Sequence, residues 1–151
     1  MHLTQWTDYA LRVLMYCAAY EGREQPVTIT EIAQAHGISR SHLTKLVRQL
    51  ASLELLDTTR GRGGGMRLMR PPQEIIVGAV VRATETNFEM VECFSASHSV
   101  CRISSNCNLK GVLDRATRSY LAVLDGVTLA DLAPLSARGM RRGAGGVPAL
   151  A

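Results

Sequence analysis

A short apolar helix, one glycine and a second amphipathic helix follow one another within residues 30–50, and few folds accommodate that order. Thr30 is placed to cap a helix that buries Ile32 and Ala33, and Gly37 ends it, because glycine readily takes the positive φ of a helix C′ position. Ser39 can cap the next helix, in which Leu43, Leu46, Val47 and Leu50 form one apolar stripe. The opposite face carries Arg40, Ser41, Thr44, Lys45 and Arg48. An ordinary αα-hairpin needs neither the placed glycine nor a basic, hydroxyl-rich first turn. Together they describe a helix-turn-helix whose second helix enters the DNA major groove.

The next residues extend this reading. Leu55-Leu56-Asp57-Thr58-Thr59 and Met66-Arg67-Leu68-Met69 are strand-like, and Arg60-Gly61-Arg62-Gly63-Gly64-Gly65 lies between them. A β-hairpin with a basic, glycine-rich tip directly after a recognition helix is a wing: its backbone can approach phosphates and an arginine at its tip can enter the minor groove. A phosphate-binding loop is excluded, since no Gly-Lys-Ser/Thr follows and no helix opens there. The candidate DNA-binding residues are therefore Ser39, Arg40, Ser41, His42, Thr44, Lys45 and Arg48 on the helix, and Arg60, Arg62, Gly63 and Gly64 on the wing. Charge agrees with this. The chain carries +4 overall, and residues 40–70 hold Arg40, Lys45, Arg48, Arg60, Arg62, Arg67 and Arg70 against only Glu54 and Asp57. A solvated basic face would look the same by charge alone, but a polyanion is the partner that such a segment suits.

With 151 residues, 46% hydrophobic and 20% charged, the chain is long enough for one real core and is globular rather than disordered. It has no run of 18 apolar residues and no basic segment ahead of an apolar one at its start, so the expectation is a cytoplasmic protein without a membrane span. Residues 7–20 predict a helix with Leu11, Leu14, Met15 and Ala18 at helical spacing, Cys17 in its core and Gly22 as a stop. Pro71 and Pro72 close the winged unit, and residues 77–86 predict a short helix with Ala79, Val80 and Ala83 inward. Leu109, Val112, Leu113, Ala116, Tyr120, Val123 and Leu124 then recur at helical spacing over about sixteen residues, ~24 Å. So long a helix beside so little remaining core reads as a dimerisation helix. Thr128-Leu129-Ala130-Asp131 has the form of a capped turn, and beyond Pro134 the Gly, Ala, Arg and Pro residues predict a disordered tail. The expected architecture is mainly α: a winged helix-turn-helix over residues 1–72, a loop and long helix over 73–133, and the tail from 134.

Between the short and the long helix, Cys93, Cys101 and Cys107 fall within fifteen residues, among Ser, Asn and His98. Structural cysteines usually sit among apolar neighbours, and these do not. A disulfide with a spare thiol, a zinc site with His98 and an iron–sulfur cluster all remain open on this pattern. A reducing compartment counts against the disulfide, and the Cys-x-x-Cys knuckle common in structural zinc sites is missing. A cysteine-dependent enzyme would need an activating histidine in a pocket, for which His98 near Cys101 is the only hint.

Leu3-Thr4-Gln5-Trp6-Thr7-Asp8-Tyr9-Ala10-Leu11-Arg12, the Ile32-Ala33 helix, the Gly61-to-Gly65 wing, the three-cysteine loop and Leu129-Ala130-Asp131-Leu132 together resemble the Rrf-two family of winged-helix regulators, and within it the nitric-oxide-sensing repressors. The resemblance covers residues 1–133. It implies a homodimer that binds double-stranded promoter DNA, with Cys93, Cys101 and Cys107 holding an iron–sulfur cluster; nitric oxide would attack the cluster, release DNA and switch on detoxification genes. A related regulator of cluster biogenesis has a ligand histidine three residues past its third cysteine; here that position is Lys110. The gap of seven residues between the first two cysteines is also longer than the five common in the family, which a loop accommodates at small entropic cost. Three cysteines and one further donor suit a single 4Fe–4S cubane, with 2Fe–2S as the alternative. The fourth donor is expected to be Asp8 of the partner subunit, with Glu85, Glu92 and His98 as competitors. A regulator answering oxidants through iron–sulfur or zinc is the rival within this class.

Overall fold

The computed structural model describes residues 2–89, 91, 94 and 107–132. Helix α1 (Gln5–Ala19) begins at Thr4, whose hydroxyl accepts from the Thr7 N–H, and buries Ala10, Val13, Leu14 and Cys17 on one face. Leu11 and Met15, expected inward, lie at the edge of that core, half-buried. Helix α2 (Ile29–His36) ends at Gly37, which takes φ +66° as expected. Its cap is Thr28 rather than Thr30: the Thr28 hydroxyl accepts from the Glu31 N–H at 3.2 Å and the Glu31 carboxylate accepts from the Thr28 N–H at 2.7 Å. This reciprocal pair satisfies two end-of-helix donors at once, which Thr30 could not do inside the first turn. Helix α3 (Arg40–Ser52) is capped by Ser39, which accepts from the His42 N–H, and buries Leu43, Leu46, Val47 and Leu50. Each such side chain contributes about 1.5–3 kcal/mol on leaving water.

Strands β1 (Leu56–Thr59) and β2 (Gly65–Leu68) pair antiparallel, with Leu56 opposite Leu68 and Thr59 opposite Gly65. Val27 pairs with Met66 through both backbone hydrogen bonds (3.0 and 2.7 Å), so the hairpin has a one-residue third strand beside the tip-proximal half of β2. Helix α4 (Val77–Thr84) buries Val80 as expected, together with Val77, Val81 and Thr84, but Ala79 and Ala83, expected inward, are exposed. The branched side chains of the competing stripe bury more apolar surface than two alanines, so that stripe takes the core.

Helix α5 (Asn108–Asp125) is eighteen residues long and none of its residues is fully buried. It packs against α4, where Arg82 forms a two-pronged ion pair with Asp125. Helix α6 (Leu129–Leu132) returns to the core: Leu129 is buried and its N–H donates to the Ile75 carbonyl at 2.8 Å. Thr128 and Asp131 cap that turn reciprocally, as expected. The residues expected to form a disordered tail lie outside the described residues. Among the described residues, no helix is long and apolar enough to cross a membrane.

Candidate functional site

The exposed face of α3, the candidate recognition face, follows from what its other face buries. With the Leu43–Leu46–Val47–Leu50 stripe packed inward, Ser39, Arg40, Ser41, His42, Lys45 and Arg48 are exposed, and Thr44 is half-buried. The Thr44 hydroxyl donates to the Arg40 carbonyl at 2.8 Å, so Thr44 offers a neighbour only its acceptor and its methyl. The Trp6 indole N–H donates to the Gln49 side-chain oxygen and ties α1 to the far half of α3. The exposed half of α3 therefore presents two guanidinium groups, an ammonium group and the Ser39 and Ser41 hydroxyls, which lie 3.3 Å apart in a hydrogen bond with each other.

The wing tip is a closed turn. The Gly64 N–H donates to the Gly61 carbonyl at 3.0 Å, and Gly63, third in the turn, has φ +79°. A type II turn requires positive φ at that position, which glycine supplies without strain. Arg62 is thereby left at the apex, exposed, and Arg60 is exposed beside it. A Cβ on Gly64 would lie 2.3 Å from the Thr59 carbonyl oxygen, so Gly64 shapes the turn by its smallness. The link from α3 to the wing passes through Glu54, a non-glycine residue at φ +56° that no sequence signal marks.

The thiols divide sharply. Cys17 is 3% exposed, and burial pushes its thiol up to about 12, so it is a core residue as expected and not an available thiolate. Cys107 is half-buried and immediately precedes α5, whose first-turn amides receive no side-chain cap. Cys93, Cys101, His98 and Glu92 lie outside the described residues. Among the described residues no three His, Cys, Asp or Glu side chains gather into a metal-ligand set. Asp8 is half-exposed and grips Arg12, with both carboxylate oxygens 3.0 Å from Nε. Glu85 accepts from the Thr4 N–H (2.7 Å) and hydroxyl (3.2 Å), so it already anchors the start of α1.

Comparison with known proteins agrees with this arrangement. Residues 3–134 match the family described as Rrf2, iron-dependent transcriptional regulator. The chain is 49% identical over 132 residues to the HTH-type transcriptional regulator NsrR of Bacillus subtilis (strain 168), covering 87% of this chain and 90% of that one. Among solved structures it is similar to CymR, the global cysteine regulator of B. subtilis (26% identity, TM-score 0.69, 88% and 96% of the two chains). It is also similar to T. potens IscR (29% identity, TM-score 0.68, 87% and 85%).

Proposed function

Because the chain belongs to the Rrf2 family of DNA-binding transcriptional regulators, and is not an enzyme, we propose that it is a cytoplasmic, homodimeric repressor that holds promoter DNA and releases it in response to nitric oxide. The observation that carries the DNA half is α3 itself: one face fully packed, the other exposed, basic and hydroxyl-bearing, beside a glycine turn that lifts Arg62 to its tip. In this reading Arg40, Ser41, Thr44 and Lys45 face the major groove, Arg62 the minor groove, and Ser39, His42, Arg48, Arg60 and the Gly63–Gly64 backbone contact phosphates.

For the sensor half, Cys93, Cys101 and Cys107 would hold an iron–sulfur cluster, 4Fe–4S in preference to 2Fe–2S. The chain fits such a group at Cys107, the one described cysteine of the three: the uncapped amides at the start of α5 suit a neighbouring anionic centre. When bound, the cluster supplies iron that reacts with nitric oxide. Asp8 of the partner subunit would be the fourth donor, which an exposed pair with Arg12 does little to prevent: such a pair is worth only about 0.3–0.5 kcal/mol. Cys107 is continuous with α5, so any change in how Cys107 is held acts directly on the helix proposed to join two copies. Asp8 and Arg12 lie on α1, which packs on α2 and α3, so a change at Asp8 reaches the recognition helix. The coupling needed between signal and DNA is on the order of 1–3 kcal/mol.

Protein purified without oxygen should be coloured, should shift promoter DNA in a gel, and should lose both properties on addition of nitric oxide. Loss of DNA binding with oxidants but not with nitric oxide would instead establish the oxidant-responsive reading.

A further inference from the structure

Arg67 belongs to the basic segment 40–70, yet its guanidinium is engaged within the chain. Nη1 donates to the Arg23 carbonyl at 2.6 Å and Nη2 to the Glu24 carbonyl. Arg23 is committed in turn: Nε donates to the Gln25 carbonyl (2.7 Å), Nη2 to the Pro26 carbonyl (2.8 Å), and the fork closes on the Glu31 carboxylate at 2.8 and 3.2 Å. Its guanidinium also lies 5.1 Å from the centre of the Tyr20 ring. Glu31 then accepts from the N–H and hydroxyl of Thr28 at the start of α2 (2.7 and 2.9 Å). One series of charge-assisted hydrogen bonds thus runs from β2 through the 23–28 loop into the first turn of the helix-turn-helix.

A hairpin of two four-residue strands does not hold its own orientation in water. Strand β2 of this one is fixed to the 23–28 loop by the Val27–Met66 pairing, two residues beyond the tip turn, and, one residue further along β2, by the Arg67 fork. The tip turn lies only a few residues away on the same strand, so a shift of β2 at these two residues carries Arg62 with it. We infer that Arg67, acting through Arg23 and Glu31, is a positioning residue for DNA recognition: it presets the wing on the helix-turn-helix so that Arg62 meets the minor groove at a fixed offset from α3. The inference rests on the docking reading given above. It assigns to Arg67 a role different from a phosphate contact, which its charge alone would suggest.

The test uses the full chain and a duplex that the wild-type protein selects from random-sequence DNA. Arg67→Met removes the fork; Arg67→Lys keeps the charge but not the planar pair of donors. Each should weaken binding about tenfold in the wild-type background, yet by no more than about twofold when Arg62 is already alanine, because there is then no tip contact to misplace. Glu31→Gln, which loosens the same series from its other end, should show the same dependence on Arg62. Hydroxyl-radical footprints should lose the protection under the wing and keep that under α3, with binding measured below the melting temperature of every variant. Wild-type affinity for Arg67→Lys would mean that charge alone matters and would overturn the inference. So would an equal loss in both backgrounds, which is the mark of general damage, or no loss in either. An Arg62→Ala protein that binds as well as wild type would remove the docking reading itself, and this inference with it.

Discussion

Two cysteines in one chain carry opposite expectations because their surroundings differ. Cys17 is packed among the α1 core residues with its thiol held far from ionisation, whereas Cys107 is half-buried at the mouth of α5. Cys17→Ser should therefore cost about 1–3 kcal/mol of stability, from a hydroxyl buried without a partner, and leave iron and sulfide content unchanged. Cys107→Ser, like Cys93→Ser and Cys101→Ser, should abolish the visible absorbance of purified protein; retention of full iron content in any of the three would remove that thiol from the ligand set. Asp8→Ala should preserve the three cysteine bonds but alter the spectrum and the rate of reaction with nitric oxide. If His98→Ala changes both and Asp8→Ala changes neither, the fourth ligand lies in the loop. Glu31 offers a check independent of any metal. The Arg23 fork, and behind it the two Thr28 donors, hold its carboxyl at about 2 against an ordinary value of 4.5. A depressed carboxyl stabilises the fold above its unfolded value, and that contribution disappears as pH falls from about 4.5 toward about 2. With the pair one-third exposed, screening reduces the contribution to about 1 kcal/mol. Urea midpoints of wild type and Glu31→Gln should differ at pH 7 and converge as the pH falls toward about 2.

At the scale of elements, the proposed docking makes α3 and the wing one reader with separable halves. Arg40→Ala and Arg62→Ala should each weaken operator binding by about 1–3 kcal/mol if each loses a base contact. Unchanged affinity in both at physiological salt would remove the docking arrangement. Much of this reader was legible in the residues, because capping and turn chemistry are local: Ser39, Gly37 and the Gly61–Gly64 run did where they stand what their types dictate. The cap of α2 was legible too, since Glu31 follows Thr28 by three residues, the spacing of a capping box, although Thr30 drew the assignment. Periodicity could not choose between two interleaved small-residue stripes on α4, where volume decided for Val77, Val80, Val81 and Thr84. Glu54 at φ +56° and the single Val27–Met66 pairing leave no pattern to read, since neither a glycine nor an alternation marks them. The sign of a charge likewise says nothing of its direction, so Arg67 counted as a surface cation until its carbonyl partners were placed.

At the scale of the whole molecule, α5 carries two apolar edges, one half-buried within the chain and one exposed. Leu113, Tyr120, Leu121 and Leu124 are half-buried, whereas Leu109 (59% exposed), Val112, Ala116 and Val123 (68% exposed) face outward. The outward set recurs at spacings of three, four and seven residues, the period of a coiled-coil seam. Leucine and valine held this far into water on a helix with no buried residue of its own are what a second copy of the helix would cover. The sequence spacing points to Leu113, Ala116, Tyr120 and Leu124 as the two-fold stripe, but Leu113, Tyr120 and Leu124 are half-buried within the chain, so Leu113→Asp mixes two effects. Val112→Asp and Val123→Asp confine the damage to the outward edge, and each should convert the protein to monomers in sedimentation with little change in melting temperature measured on the monomer. Operator binding should fall by far more than the loss of one base contact, because two recognition helices about 34 Å apart must engage successive major grooves together. Linking two half-site interactions gains roughly 10²- to 10⁴-fold in avidity, and a monomer forfeits all of it. Val112→Asp and Val123→Asp proteins that sediment as dimers and bind the operator normally would place the two-fold contact somewhere other than this edge of α5.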